Sequence, residues 1–164
     1  MKKTITKRKK IKKTLYDFED GNGPVPAHQH PNGEGWVAET SRVEDSAFVG
    51  PDARVSGHAW VSGEAQVFGN AEVSGNAQVY GNVEVYGNAQ VYGNAKVSGE
   101  AWVYGNAKVS GDAQVFGNAR VFENAQVYGN AKVSGEAWVY GNAQVYGHVE
   151  VSGSSRLFGD VVLN

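Results

Sequence analysis

The chain of 164 residues has no cysteine, only four prolines and a single methionine. Without cysteine, no thiol indicates the redox environment in which the protein works. Lysine and arginine interrupt every apolar stretch near the start of the chain, so we expect no secretory signal peptide. No segment is long and apolar enough for a transmembrane helix. We therefore expect an intracellular protein, located in the cytoplasm or carried in a virion.

The formal net charge of −2 combines two regions of opposite sign. Eight of the fifteen basic residues lie at the start of the chain: Lys2, Lys3, Lys7, Arg8, Lys9, Lys10, Lys12 and Lys13. The other seven stand against all seventeen acidic residues, so the chain from residue 14 onward carries a net charge of −10. We expect residues 1–20 to form a basic arm that binds nucleic acid or another anionic surface, and a solvated leader is the alternative. Ile11, Leu15 and Phe18 have helical spacing, which permits a short helix in this arm.

Residues 21–34 are rich in glycine and proline and predict a linker without regular structure. The same segment is expected to fold across the beginning of the next region as a cap. A cap is needed because the end of a repeat array exposes apolar side chains, here Val37 and Val43.

From Val37 to Leu163 an aliphatic residue occupies every sixth position. A typical unit is Ala89–Asn94, with the sequence Ala-Gln-Val-Tyr-Gly-Asn. Alanine and valine are two residues apart, so they point to the same side of an extended segment and their neighbours point to the other. Glycine and asparagine both tolerate left-handed backbone and mark a corner. Each unit therefore predicts one short strand followed by a turn.

A strand this short cannot bury its apolar side alone, but coils stacked about 4.8 Å apart pair each strand with copies above and below. About 22 units at three per coil give roughly seven coils and a rod on the order of 35 Å long. Valine and alanine fill the interior, which leaves a narrow column with no room for a ligand. We expect residues 35–164 to form this all-β domain and its function to lie on the outer surface.

The unit resembles that of the hexapeptide-repeat family, whose fold is a left-handed parallel β-helix of triangular coils. The resemblance covers about 130 of the 164 residues and rests on pairs such as Ala71 and Val73. Glycine follows the aliphatic residue by two places here, whereas one place is commoner in the family. The left-handed sense comes from this resemblance, and a right-handed solenoid is the structural alternative.

Residues eighteen apart share a face of the predicted rod, and one of the three faces is strongly aromatic. Its outward positions include Phe48, Phe68, Tyr86, Trp102, Tyr104, Phe122, Trp138, Tyr140 and Phe158. The other two faces alternate serine with aromatic residues. Corner asparagines also align along the rod and are able to form amide ladders: Asn70, Asn88, Asn106, Asn124 and Asn142.

The aromatic strip is longer than a soluble monomer usually leaves exposed, so we expect it to contact a partner. The family resemblance implies a homotrimer, and we place this strip inside the subunit interface. One alternative is that the rings only stabilise each other across coils. Another is a carbohydrate-binding rod, in which evenly spaced rings stack on sugars.

The resemblance also implies an enzymatic alternative, a coenzyme A-dependent O-acetyltransferase with a histidine base. No insertion interrupts the units and no helix follows them, so the family's chemistry does not transfer to this chain. His58 and His148 lie five coils apart, about 24 Å, and cannot share a metal. His28 and His30 are the remaining weak metal candidates. We assign no catalytic residue and no cofactor.

The sequence thus favours a non-catalytic rod that acts as a scaffold, as a component of a phage virion or filament, or as a protein-binding inhibitor. The inhibitor hypothesis follows from the acidic rod, which is able to imitate a nucleic acid.

Overall fold

The structure is a computed structural model that describes residues 14–164. Every regular element in this range is a β-strand, and the strands form three sheets. Residues 14–164 contain no helix of the length and apolarity needed to cross a membrane.

From Trp36 onward, successive strands enter the three sheets in rotation. Sheet A contains β3 (Trp36–Ala38), β6 (Arg54–Val55), β9 (Glu72–Val73), β12 (Gln90–Val91), β15 (Lys108–Val109), β18 (Gln126–Val127), β21 (Gln144–Val145) and β24 (Val162–Leu163). Sheet B contains β4 (Arg42–Val43), β7 (Trp60–Gly63), β10 (Gln78–Gly81), β13 (Lys96–Gly99), β16 (Gln114–Val115), β19 (Lys132–Val133) and β22 (Glu150–Val151). Sheet C contains β5 (Phe48–Val49), β8 (Gln66–Val67), β11 (Glu84–Val85), β14 (Trp102–Val103), β17 (Arg120–Val121), β20 (Trp138–Val139) and β23 (Arg156–Leu157).

Each of these strands pairs in parallel with the strand eighteen residues later, as Val103 pairs with Val85 and Val121. Three units therefore make one coil, as the sequence predicts, and sheets B and C each contain seven strands. The inward alanine and valine side chains from Ala47 to Val145 are fully buried in one continuous cluster. The prediction of a parallel β-solenoid with a solid aliphatic interior is confirmed. Its left-handed sense stays a prediction.

Glycine makes most of the corners, and Glu123 takes its place at one of them. Glycine at the fifth place of the unit has a left-handed backbone, for example Gly93 with φ 70°. The Gly-Asn pair marks the corner as predicted, although asparagine at the sixth place does not itself have a left-handed backbone. Its backbone N–H instead donates to the glycine carbonyl of the next coil, as Asn94 N does to Gly111 O at 2.8 Å. One left-handed residue is enough to turn the chain, and the sixth residue joins the coils.

Two structural expectations for the beginning of the chain are wrong. Residues 25–29 are not an irregular linker, because they form β2 (Val25–Gln29), which pairs antiparallel with both β1 (Thr14–Tyr16) and β3. Leu15 and Phe18 do not lie on a helix. Leu15 belongs to β1 and is 67% exposed, whereas Phe18 is 5% exposed and packs with Ala27 and Ala38. The hairpin extends sheet A by two strands.

The expected cap is present over the first coil. Val49 N donates to Asn32 O at 3.0 Å, and Gly35 N donates to Val49 O at 2.9 Å, so the loop after β2 covers the first strand of sheet C. Gly33 lies so close to this strand that an added Cβ would be 2.2 Å from Val49 O. Val37 is buried beneath the cap, and Val43 is half-buried.

We expect Phe18→Ala to release the cap, because removing a buried phenylalanine side chain costs about 3 kcal/mol or more. Hydrogen exchange of residues 14–38 should then accelerate, while the coils from Ala59 onward keep their protection. Leu15→Ala is the matched control, since this side chain is mostly exposed. Equal exchange in the two variants would show that Phe18 does not anchor the cap.

Candidate functional site

The interior of the rod offers no binding site, because valine and alanine fill it throughout the stacked coils. One shallow depression of about 60 Å³ lies between the cap and sheet A. Arg54 in its wall contacts Glu19 at 2.7 Å and Glu72 at 3.8 Å. A volume of this size holds only a few water molecules. The candidate functional surface therefore lies on the outer faces.

Sheet C presents two outward columns along the rod. The first, which we name the Trp–Arg column, comprises Phe48, Gln66, Glu84, Trp102, Arg120, Trp138 and Arg156. The second, which we name the aromatic column, comprises Phe68, Tyr86, Tyr104, Phe122, Tyr140 and Phe158. The structure places all nine aromatic residues of the predicted strip on the sheet C face. Their role as an interface stays a prediction.

The rings of the aromatic column stack on each other from coil to coil. Adjacent ring centroids from Phe68 to Tyr140 are 4.8 to 4.9 Å apart, with interplanar angles of 2° to 4°. Each inner ring thus has both faces covered by its neighbours and turns an edge to solvent. Cross-coil stacking is therefore real, and it leaves few ring faces on which a sugar could stack. Phe158, at the end of the column, is 60% exposed.

The Trp–Arg column contains a cation–π ladder. The Arg120 guanidinium lies 4.5 Å from the Trp102 ring centroid and 5.1 Å from that of Trp138, and Arg156 lies 4.6 Å from Trp138 on its other side. Such contacts hold a flexible arginine in place. Sequence analysis singled out the tryptophans and missed the arginines. Their eighteen-residue spacing from Trp102 and Trp138 was the signal that could have found them.

Asparagine side chains form a ladder at the corner beside the aromatic column. Asn70 donates to Asn88, and the chain of amide hydrogen bonds continues through Asn106, Asn124 and Asn142 at 3.0 to 3.1 Å. Asn142 then donates to Asp160 at 2.9 Å. The predicted amide ladder is confirmed, and it stiffens one border of the sheet C face.

The other two faces have no comparable column. On sheet A, Tyr128 stacks on Tyr146 at 4.8 Å and, within the cap, Tyr16 stacks on Trp36 at 4.3 Å, so the described stacked rings of this sheet are two separate pairs. Sheet B alternates serine with exposed aromatics such as Tyr80 and Phe116. Sheet C is therefore the distinctive face.

Burial raises the pKa of Tyr86 and Tyr104 above the ordinary tyrosine value, and for Tyr86 the neighbouring Tyr104 and Glu84 add to the effect. The folded protein thus keeps these protons at a pH where the unfolded chain loses them. Stability should fall as the pH rises through and above about 10.

Urea unfolding at several alkaline pH values tests this expectation. The double variant Tyr86→Phe, Tyr104→Phe should lose less stability between pH 9 and pH 11 than the wild-type protein, because phenylalanine has no proton to release. Identical pH profiles would contradict the expectation.

The histidines are separate from this face. His28 Nδ1 lies 2.7 Å from Glu39 Oε1. His30 is buried, and its Nδ1 contacts the backbone of Asn32. No group of three side chains suited to hold a metal occurs among residues 14–164. His58 and His148 lie on different coils of one corner, as predicted.

The basic arm, from Lys2 to Lys13, lies outside the described residues, so its anionic partner stays a prediction.

Comparison with known proteins identifies the type of repeat but assigns no activity. The family model described as the YdcK Beta solenoid repeat matches residues 65–81, 77–91, 89–105, 113–126 and 125–141. Searches of curated proteins and of solved structures gave no match. The matched segments all lie within the stacked coils, whose parallel register the structure shows independently. The chain is therefore a β-solenoid repeat protein, similar over its central coils to the YdcK repeat.

Proposed function

We propose that the protein is a non-catalytic rod that self-associates through the sheet C face. The observation that supports this function is the concentration of stacked rings and Trp–Arg contacts on one of three otherwise similar faces. The rings stack on one another but remain half-exposed. Covering their edges would remove further apolar surface from water.

Such a rod suits a structural or scaffolding role, because its shape is set by coils of one repeating backbone geometry and its interior is solid. The basic arm would then recruit the assembly to an anionic partner. The family resemblance implies a trimer, and the number of subunits is a question separate from which face they use.

The enzymatic and carbohydrate alternatives have less support. A coenzyme A-dependent acyltransferase needs a cleft and a positioned base, and none of the described histidines lies on the sheet C face. A shift of the melting temperature with acetyl-coenzyme A would revive this alternative. Sugar stacking needs ring faces, which the neighbouring rings cover.

Light scattering coupled to size-exclusion chromatography tests the proposal, on the full chain at moderate salt and over a wide range of concentration. We expect the wild-type protein to be an oligomer. The triple variant Tyr86→Ser, Tyr104→Ser, Phe122→Ser should associate much more weakly. The matched control removes three rings from sheet A, through Tyr92→Ser, Tyr128→Ser and Tyr146→Ser, and should associate like the wild-type protein. A wild-type monomer at every concentration would overturn the proposal.

A further inference from the structure

The side chains of the Trp–Arg column complement those of a second copy of the same column that runs in the opposite direction. Trp102 is its central member, with three residues on each side. Glu84 lies one coil before Trp102 and Arg120 lies one coil after it. The only acidic residue of the column and the inner of its two arginines are thus equally distant from the centre.

A two-fold axis converts this symmetry into an interface. If two rods meet face to face and run in opposite directions, an axis parallel to the strands brings each column of one copy against the same column of the other, in reverse order. In such an interface, residue i meets residue j and j meets i. With the axis over Trp102, Glu84 of each copy faces Arg120 of the other, so the charge pair forms twice.

The remaining positions of the Trp–Arg column fit the same register. Trp102 meets its own copy on the axis. Phe48 faces Arg156, a pairing that allows a further cation–π contact. Gln66 faces Trp138. No like charges are opposed anywhere in the column.

The aromatic column fits this register as well. Tyr104 meets its own copy, Tyr86 faces Phe122, and Phe68 faces Tyr140. Phe158, the most exposed ring of the column, faces Gly50, which occupies the corresponding place in the first coil and has no side chain. The end of the column in one copy therefore does not oppose a ring of the other.

Other registers lose this complementarity. If one copy is shifted by one coil along the rod, Glu84 faces no arginine of the other copy. A shift by two coils puts either Arg120 or Glu84 against its own copy, which is repulsive, although the shift that centres Arg120 also brings Glu84 against Arg156 twice. Among antiparallel registers, only the one centred on Trp102 pairs charges without opposing like charges. Parallel rods related by an axis along their length place the Trp–Arg column against the aromatic column and pair no charges.

The two charges are free to make this contact. Neither Glu84 nor Arg120 forms an ion pair within residues 14–164. Arg120 is also fixed between Trp102 and Trp138, so little side-chain freedom is lost on binding.

We propose that a second copy of this chain docks antiparallel on sheet C, with Trp102 and Tyr104 on the two-fold axis. This inference rests on the proposed self-association and specifies its geometry. The projected face is roughly 34 Å by 13 Å, or about 440 Å² per partner. That is smaller than a standard interface of about 800 Å² per partner, so we expect a concentration-dependent pair.

Charge reversal tests the register. Glu84→Arg and Arg120→Glu should each weaken the dimer on the order of tenfold, because each variant opposes like charges twice. The double variant Glu84→Arg, Arg120→Glu should recover most of the affinity. Lys108→Glu, on sheet A, is the control and should leave the affinity unchanged. If the double variant is as weak as the single ones or weaker, the proposed register is wrong.

Cross-linking tests the direction of the rods, because the chain has no cysteine of its own. With a short bifunctional thiol reagent, Tyr104→Cys should link to its own copy and Phe158→Cys should not. Efficient linking of both would indicate parallel rods and contradict the proposal. A trimer in light scattering would overturn the antiparallel pair and leave self-association intact, whereas a monomer would overturn both.

Discussion

Val91→Asp is expected to unfold the solenoid. Val91 is fully buried in the aliphatic column, where no polar group is available to a carboxylate. Burying an unpaired charge among valine and alanine side chains should cost about 5 kcal/mol or more, which is comparable to the total stability of many domains. Circular dichroism and urea unfolding measure the loss.

Gln90→Asp provides the control for this prediction. Gln90 is the neighbour of Val91 in β12 and lies on the outer side of the same strand. We expect its replacement to cost about 1 kcal/mol or less, because an exposed-side aspartate loses the hydrogen bond to Glu72 but also lies opposite Lys108. If both variants remained folded with similar stability, the assignment of inward and outward positions would be wrong.

Gly93→Ala should also be strongly destabilising, for two separable reasons. Gly93 has φ 70°, a conformation that costs an alanine about 1 to 2 kcal/mol. Its added Cβ would also lie 2.9 Å from Gly111 N, so the next coil would have to move. We expect a total loss of about 3 kcal/mol, with the second part arising from the separated coils.

Gly153→Ala measures the conformational cost of the left-handed backbone without the contact between corners. Gly153 has φ 65° and no atom within 4 Å of an added Cβ, so only the conformational cost applies. Its loss of stability in urea unfolding should be about half that of Gly93→Ala or less. Equal losses would show that contact between corners does not limit the choice of residue.

Glu123, with φ 59°, shows that one corner accepts a side chain, and its carboxylate accepts a hydrogen bond from Gly141 N at 2.8 Å.

The six-residue period was sufficient to predict the coils, because burial and turn geometry repeat with it. Val91 and Gly93 occupy the third and fifth positions of their unit, and the buried valine and the corner residue can be read from the same positions of the other units. The eighteen-residue spacing then sorted the outer residues into faces, which is why the aromatic column could be located before its ring contacts were known.

The cap could not be predicted in the same way, because it does not repeat. The turn formers around Val25–Gln29 suggested an irregular linker, yet the strand forms because β3 offers it a free edge and Phe18 covers its apolar side. Backbone pairing with the neighbouring strand β3 overrode the local composition. Arg120 and Arg156 were missed for a different reason, since charged residues on a solvent-facing strand have no local signal of function.

The most direct test of the account compares two deletions by light scattering, with circular dichroism to verify folding. Removing Ala89–Asn106 takes out one whole coil, including Trp102 and Tyr104, and keeps every later unit on its own face. Removing Ala101–Asn106 takes out the same two residues but moves Arg120, Trp138 and the rings after them from sheet C to sheet B. Both variants keep the six-residue period and should fold.

We predict that the whole-coil deletion still associates, because Glu84 and Arg120 remain equally distant from the two-fold axis, and that the single-unit deletion is monomeric. Association of the single-unit deletion at the same concentrations would contradict the claim that the sheet C face joins the subunits.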